Sequence, residues 1–230
     1  MRDILVVSYP RSGTHFLMNT IFENFKDYDK PNLEPKKKYR ILSETRPLDN
    51  IQEIEAERDL TDPLRVYKTH HAWPALAGAE KDLRRKWLIF HIEREPKDTL
   101  VSGFLFHKGR IPGMEFKTIR EYMLFNPEET PELSKWIVAK NMVEHLMKHR
   151  ATWEKVMWRK RFTYEELHGK FNEMVDRIAE ILQVPSPKIK VRPDMSERSV
   201  FEPQQGKVGA WREYFTQDDE ALFEELCRGI

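Results

Sequence analysis

Three short polar stretches each follow an apolar run, and each carries groups suited to negative charge. In "YKTHH", Lys68 and His70 lie two residues apart. Residues at that spacing on a strand share a face, so both side chains reach one ligand unless the strand stops before His70. An imidazole with its ordinary pKa near ~6.5 serves as a general base, and an ammonium group beside it stabilises charge building on a leaving group. A histidine at a strand end also has plain structural uses. In "SYPRSGTH" the amides around Ser12, Gly13, Thr14 and His15 stand at the start of a helix pattern. Helix-start amides and the helix dipole favour an anion, Gly13 permits close backbone approach, and Arg11 adds a fixed positive fork. The plainer reading is a strand-to-helix turn capped by Ser12. In "EREPKDTLVS", Arg94 ends one pattern and Ser102 lies in the next. Together they offer charge and a hydroxyl donor to a phosphate; alternatively Arg94 pairs with Glu95 or Asp98.

These stretches need elements to hold them. "DILVVSY" reads as a buried strand and "GTHFLMNTIFENF" as the following helix, with Phe16, Leu17, Thr20, Ile21 and Asn24 on one face. Strands are expected over Leu64–His71, Lys86–Glu95 and Lys160–Leu167. Helices are expected from Pro96 to near Gly109, over Phe116–Phe125 and Pro131–Trp158, over Gly169–Val184, and after a Thr216 N-cap. A charged connection occupies Lys26–Arg40, an acidic helix or lid Asn50–Arg58, and a proline-rich surface loop Val184–Gln205. Strands alternating with helices predict a single α/β domain over residues 1–230, with a mainly parallel sheet covered on both faces. Ligands of such sheets bind beyond the carboxyl ends of the strands, where the three polar stretches fall.

The chain has 230 residues, 40% of them hydrophobic, and a net charge of +1. That near-neutral balance gives no bulk attraction to nucleic acid or acidic lipid, so any basic site is local. One cysteine, Cys227, leaves no intramolecular disulfide framework and argues against a zinc cluster, and no carboxylate cluster suggests magnesium. The opening "MRDILVVSYP" passes directly into a strand pattern, and no apolar run reaches membrane-spanning length. The expectation is a soluble cytoplasmic protein without a metal.

Taken in order, five segments resemble the cytosolic-type sulfotransferases, which use 3′-phosphoadenosine-5′-phosphosulfate (PAPS). "YPRSGTHF" is similar to the family's YPKSGTTW loop and "YKTHHAWP" to its KTHLP segment. "EREPKDTLVSGF" is similar to RNPKDVAVSYY, "FTYEEL" to FYEDL, and "GKVGAWREYFT" to KGxxGDWKxxFT. The segments run from about Ile4 to Thr216, and the modest length resembles short bacterial or phage-like members. The resemblance implies a P-loop-like fold and transfer of a sulfuryl group from PAPS to a hydroxyl, with 3′-phosphoadenosine 5′-phosphate (PAP) released. It implies that Arg11 contacts the phosphosulfate and that Ser12, Gly13, Thr14 and His15 wrap the 5′-phosphate. Phe16 then stacks on adenine and Tyr164 stands beside it. Lys68 stabilises the moving group, His70 is the base, and Arg94 with Ser102 binds the 3′-phosphate. In-line transfer of this kind works by positioning and charge stabilisation.

The departures are specific. Arg11 replaces a lysine and does not readily give up a proton; His15 replaces a threonine, and Phe16 a tryptophan. Aligning "GAW" on GDW leaves Gly206 in place but puts Gln204 and Gln205 where two cations are expected, with Lys207, Arg198 or Arg212 as substitutes. The acceptor is a small-molecule alcohol or phenol. Trp73, Phe104, Phe106 and His107, with Met114, Phe116 and Tyr122, line an apolar pocket beside His70 or belong to the core. His71 and His107 are further base candidates. The dimerisation stretch of the family is unmatched, so the oligomeric state stays open. The rival readings are a nucleotide kinase, against which the missing G-x-x-x-x-G-K-[ST] pattern argues, and a non-catalytic nucleotide-binding protein.

Overall fold

A computed structural model describes residues 3–25, 66–108, 115–129, 137–194, 206–228 and 230. Four strands, β1 (Asp3–Val7), β2 (Val66–Thr69), β3 (Trp87–Glu93) and β4 (Lys160–Thr163), form one sheet in the order β2-β1-β3-β4. Every pairing is parallel: Val6 stands opposite Lys68 and Phe90, and His91 opposite Arg161. β1 and β3 are central, which is why they read as nearly unbroken apolar runs.

The helices are α1 (Thr14–Phe25), α2 (Trp73–Leu76), α3 (Glu80–Lys86), α4 (Pro96–His107), α5 (Ile119–Leu124), α6 (Met142–Glu154), α7 (Tyr164–Gly169), α8 (Phe171–Leu182) and α9 (Gln217–Cys227). On one face of the sheet Ile4, Val6, Phe90 and Ile92 pack against Leu17 and Ile21 of α1 and Val175 and Ile178 of α8. On the other, Leu5, Val7, Tyr67 and Ile89 pack with Leu76, Leu83 and Trp153. A third cluster joins α4, α5, α6 and α9 through Phe104, Tyr122, Leu146 and Phe223. Just beyond the carboxyl ends of β1, β2 and β3 stand the buried polar residues Ser8, His70 and Arg94.

Element boundaries depart from the sequence pattern where side chains redirect the backbone. The expected strand 160–167 stops at Thr163, whose hydroxyl accepts the Glu166 amide (3.2 Å) and donates to the Glu166 carboxylate (2.8 Å). That cap starts α7 at Tyr164. The second strand ends at Thr69, whose hydroxyl accepts the His71 amide at 3.1 Å and turns the chain. His70 therefore lies just beyond the strand. The helix expected over 131–158 is described only as α6, capped by Asn141, and the one expected over 116–125 is α5, capped by Thr118. α4 ends at His107. α9 has the expected Thr216 cap, completed as a reciprocal box with Asp219. The Lys26–Arg40 connection, the Asn50–Arg58 lid, Gly109, Met114, Arg198, Gln204 and Gln205 lie outside the described residues. Among the described residues no helix is long and apolar enough to cross a membrane, and no group of His, Cys, Asp and Glu is placed to hold a metal.

One charged cluster anchors the sheet edge. Glu93, buried at the end of β3, faces Arg161 at 3.0 Å, Arg150 at 3.4 Å and Arg159 at 3.8 Å, with the His91 ring 3.1 Å away. Burial pushes the Glu93 carboxyl up, but the His91 ring and the Arg161 and Arg150 guanidiniums outweigh it and hold the group at about 2. A depressed carboxyl contributes stability above its unfolded pKa and loses it as pH falls through the folded value. Glu93→Gln should lower unfolding free energy by about 3 kcal/mol at neutral pH, as expected when a buried ion pair loses one partner. In urea titrations the wild-type advantage should fade between the usual carboxylate pKa and about pH 2.

Candidate active site

β1 ends at Val7, and past Ser8 the chain turns through Arg11 at φ 68° and Gly13 at φ 99°. Both lie in the left-handed region, where arginine is strained and glycine is not. A Cβ on Gly13 would come within 2.5 Å of Tyr164 Cδ2. The first bond of α1 runs from the Leu17 amide to the Gly13 carbonyl (3.1 Å). The amides of Gly13, Thr14, His15 and Phe16 therefore precede the helical ladder and stand at the positive end of a 12-residue helix. The Ser12 amide is committed elsewhere, to the Tyr9 carbonyl at 3.3 Å. Its side chain is buried, and that of His15 is exposed.

His70 is fixed against this loop. Its Nδ1 is 2.9 Å from the Ser8 carbonyl and 3.4 Å from Ser8 Oγ, which in turn meets Thr14 Oγ1 at 2.6 Å. A carbonyl oxygen only accepts, so Nδ1 carries the proton and Nε2 holds the lone pair. Burial lowers the His70 pKa, the neighbouring Lys68 lowers it further, and the value falls to about 3 despite the Ser8 bond. The ring is neutral above that pH. Lys68 is itself buried and sits on the same side of the sheet as Ser8 and α1. From behind, His149 Nε2 donates to the His70 carbonyl at 3.1 Å. Its partner one turn earlier on α6, His145, meets the Tyr9 hydroxyl through Nδ1 at 2.9 Å. These backing residues were not singled out in the sequence; the His145–His149 spacing, which shares one helix face, is the signal that finds them.

A second group gathers beyond β3 and β4. The Arg94 guanidinium lies 4.6 Å from the Tyr164 ring centroid, and its Nη2 donates to the Lys207 carbonyl at 3.1 Å. Arg94 Nε is buried with no hydrogen-bond partner among the described residues. Tyr164 donates its hydroxyl to the Gly206 carbonyl (2.8 Å), and Phe16 packs 5.8 Å from its ring. Phe16 is largely enclosed, with Phe171 stacked at 6.4 Å. Lys207 brings its carbonyl to this group, while its ammonium pairs with Glu213.

Two residues expected at opposite ends of the site touch: Arg11 Nε donates to Ser102 Oγ at 3.3 Å, and the same guanidinium covers Phe106 at 4.6 Å. Beside them His107 Nδ1 meets the Tyr122 hydroxyl at 3.0 Å. A Cβ on Gly103 would come within 2.4 Å of that hydroxyl. Phe104 is buried against Tyr122, and Trp73 packs edge-on to Trp153 and Trp158 in an aromatic cluster of its own. Of the four expected pocket residues, Phe106 and His107 stand in the Arg11 neighbourhood; Phe104 and Trp73 are held in packing clusters. His71, half-buried, has its pKa lowered by burial, and its carbonyl accepts Trp153 Nε1 at 3.0 Å.

A helix-start amide cradle, an orphaned buried guanidinium nitrogen and an imidazole–ammonium pair at adjacent strand ends fit a nucleotide with anionic groups at two places. Comparison with known proteins identifies the class. A family model described as the sulfotransferase domain matches residues 1–229. Sulfotransferase 4A1 of Homo sapiens is 25% identical over 229 residues, covering 93% of this chain and 75% of that protein. Mouse sulfotransferase SULT7A1, solved with PAP, superposes with a TM-score of 0.63 at 23% identity, covering 98% of this chain and 82% of that one. Retinol dehydratase, solved with retinol and PAP, gives 0.59 at 15% identity, covering 100% and 81%. The chain belongs to the sulfotransferase family and is an enzyme of the PAPS-dependent kind.

The left-handed turn supplies a direct check. Gly13→Ala places a Cβ at positive φ and against Tyr164, so it should cost about 2 kcal/mol. For a chain of this size that is a fall in melting temperature of roughly 4–8 °C, readable by calorimetry.

Proposed function

We propose that this single domain transfers the sulfuryl group of PAPS to the hydroxyl of a small alcohol or phenol and releases PAP, with His70 as general base. The observation that carries the reading is the His70 ring: Nδ1 is committed to the Ser8 carbonyl, so Nε2 is the proton acceptor, and Lys68 is close enough to depress its pKa. The likeness to a protein solved with retinol, itself an alcohol, supports the acceptor class.

When bound, PAPS supplies an activated sulfuryl group on a phosphate leaving group. The amides of Gly13, Thr14, His15 and Phe16 hold the 5′ end, with the Ser12 backbone shaping the turn. Arg94, Ser102, Tyr164 and the 206–207 backbone hold the 3′ and adenine end beside Phe16. His70 Nε2 takes the acceptor O–H proton as the new oxygen–sulfur bond forms. Lys68 and Arg11 face the negative charge that passes to the bridging oxygen as the old bond breaks, and no proton need come from Arg11. An anion beside Lys68 offsets the positive field on His70, so nucleotide binding raises the ring's proton affinity towards that of a competent base.

Three measurements test this. With sulfur-labelled PAPS and a panel of alcohols and phenols, label should move to at least one acceptor; absence of both PAP binding and transfer overturns the reading. His70→Ala should reduce kcat about 10²–10⁴-fold, and wild-type turnover by that variant would remove His70 from the role. In unliganded enzyme the His70 imidazole resonances should show the neutral form well below pH 6, titrating near pH 3. That titration should move upward when PAP is added, and an unchanged value would show that no anion sits beside the ring.

A further inference from the structure

The segment that closes the Arg94–Tyr164 group is not held by that group alone. Asp98, in the first turn of α4, is buried, and its carboxylate accepts two backbone amides from the far end of the chain: Gly209 at 2.7 Å on Oδ2 and Trp211 at 2.9 Å on Oδ1. The left-handed Gly209 (φ 78°) lets both amides point at one carboxylate across the start of the 210–213 turn. Beside it, the Lys97 ammonium sits 4.0 Å from the Trp211 ring centroid and pairs with Glu220 at 2.9 Å. Neighbouring residues of α4 therefore clasp the same segment by backbone and by side chain. Two to three residues upstream, that segment presents the Gly206 and Lys207 carbonyls to Tyr164 and Arg94.

We propose that Asp98 is a positioning residue for the 3′-phosphate end of the nucleotide. By pinning Gly209 and Trp211 to α4, it places the carbonyls that orient the Tyr164 hydroxyl and the Arg94 guanidinium. Asp98 touches no substrate and acts through the 206–211 backbone. The same helix carries Ser102 one to two turns on, so α4 holds the segment and faces the phosphate as one rigid body. The proposal rests on the PAPS reading above, because it assigns Arg94 to a 3′-phosphate.

Asp98→Asn tests it. Asparagine keeps one acceptor oxygen but turns an NH2 group towards the second amide, so one of the two charge-assisted bonds becomes a repulsion. The readout is binding of PAP and of adenosine 5′-monophosphate, which lacks the 3′-phosphate, by titration calorimetry. The expected result is a loss of PAP affinity of tenfold or more with a several-fold smaller loss for adenosine 5′-monophosphate, which meets Tyr164 but not Arg94. Equal losses for both ligands mean a purely structural role, and no loss for either means no role; each overturns the proposal. If Asp98→Asn does not fold, Asp98→Glu keeps the charge and moves the carboxylate by one methylene. It should give the same selective loss at about two- to fivefold, and an unselective or absent effect overturns the proposal. Wild-type enzyme that fails to prefer PAP would instead overturn the sulfuryl-transfer reading on which the proposal stands.

Discussion

The bond between His70 Nδ1 and the Ser8 carbonyl is the constraint on which the site depends. It exists only because β1 and β2 run parallel in a register that sets Val7 opposite Thr69, so that the next residues of both strands leave the sheet side by side. A slip of one residue would reverse every side chain and separate the imidazole from the loop. The apolar alternation of Ile4 and Val6 against Leu5 and Val7 enforces the register from both faces. Core packing thus sets the tautomer of a single ring.

Burial then sets that ring's charge. The strand ends hold Lys68, Arg94 and His70 in largely enclosed surroundings. Cations so placed favour an anion from outside more strongly than exposed ones do, because little water screens them. The Glu93 cluster presents the opposite arrangement on the other side of the same strand end: a carboxylate already surrounded by guanidiniums. Neighbouring positions 93 and 94 therefore divide their work, one satisfying charge internally and the other leaving a guanidinium nitrogen without a partner among the described residues.

Much of this was legible in the residues. The strand–loop–helix start, the parallel sheet and the clustering of polar strand ends all follow from apolar runs and their punctuation. The family segments were recognisable because they recur in order. What escaped detection depends on side chains meeting across distance. Thr163 ends a strand whose apolar pattern continues, since a cap bond outweighs β propensity there. His145 and His149 look like polar interruptions of an amphipathic helix until Tyr9 and the His70 carbonyl are beside them. Lys207 reads as a replacement cation, and only the structure shows that its ammonium pairs with Glu213. Asp98 reads as a helix-start acid and says nothing of Gly209 and Trp211, more than a hundred residues later.

Gly103 and Tyr122 have a consequence for how this enzyme can change. The phenol of one helix occupies the volume that a side chain at the other position would need, and it is tied there by His107. The two positions are thermodynamically one unit, and their substitutions will not add. A bulkier residue at 103 is admitted only together with a smaller one at 122, and that exchange releases His107 from its partner. Variation of the surface near Arg11 and Phe106 must therefore proceed by paired replacements, and libraries that sample these positions singly will meet mostly misfits.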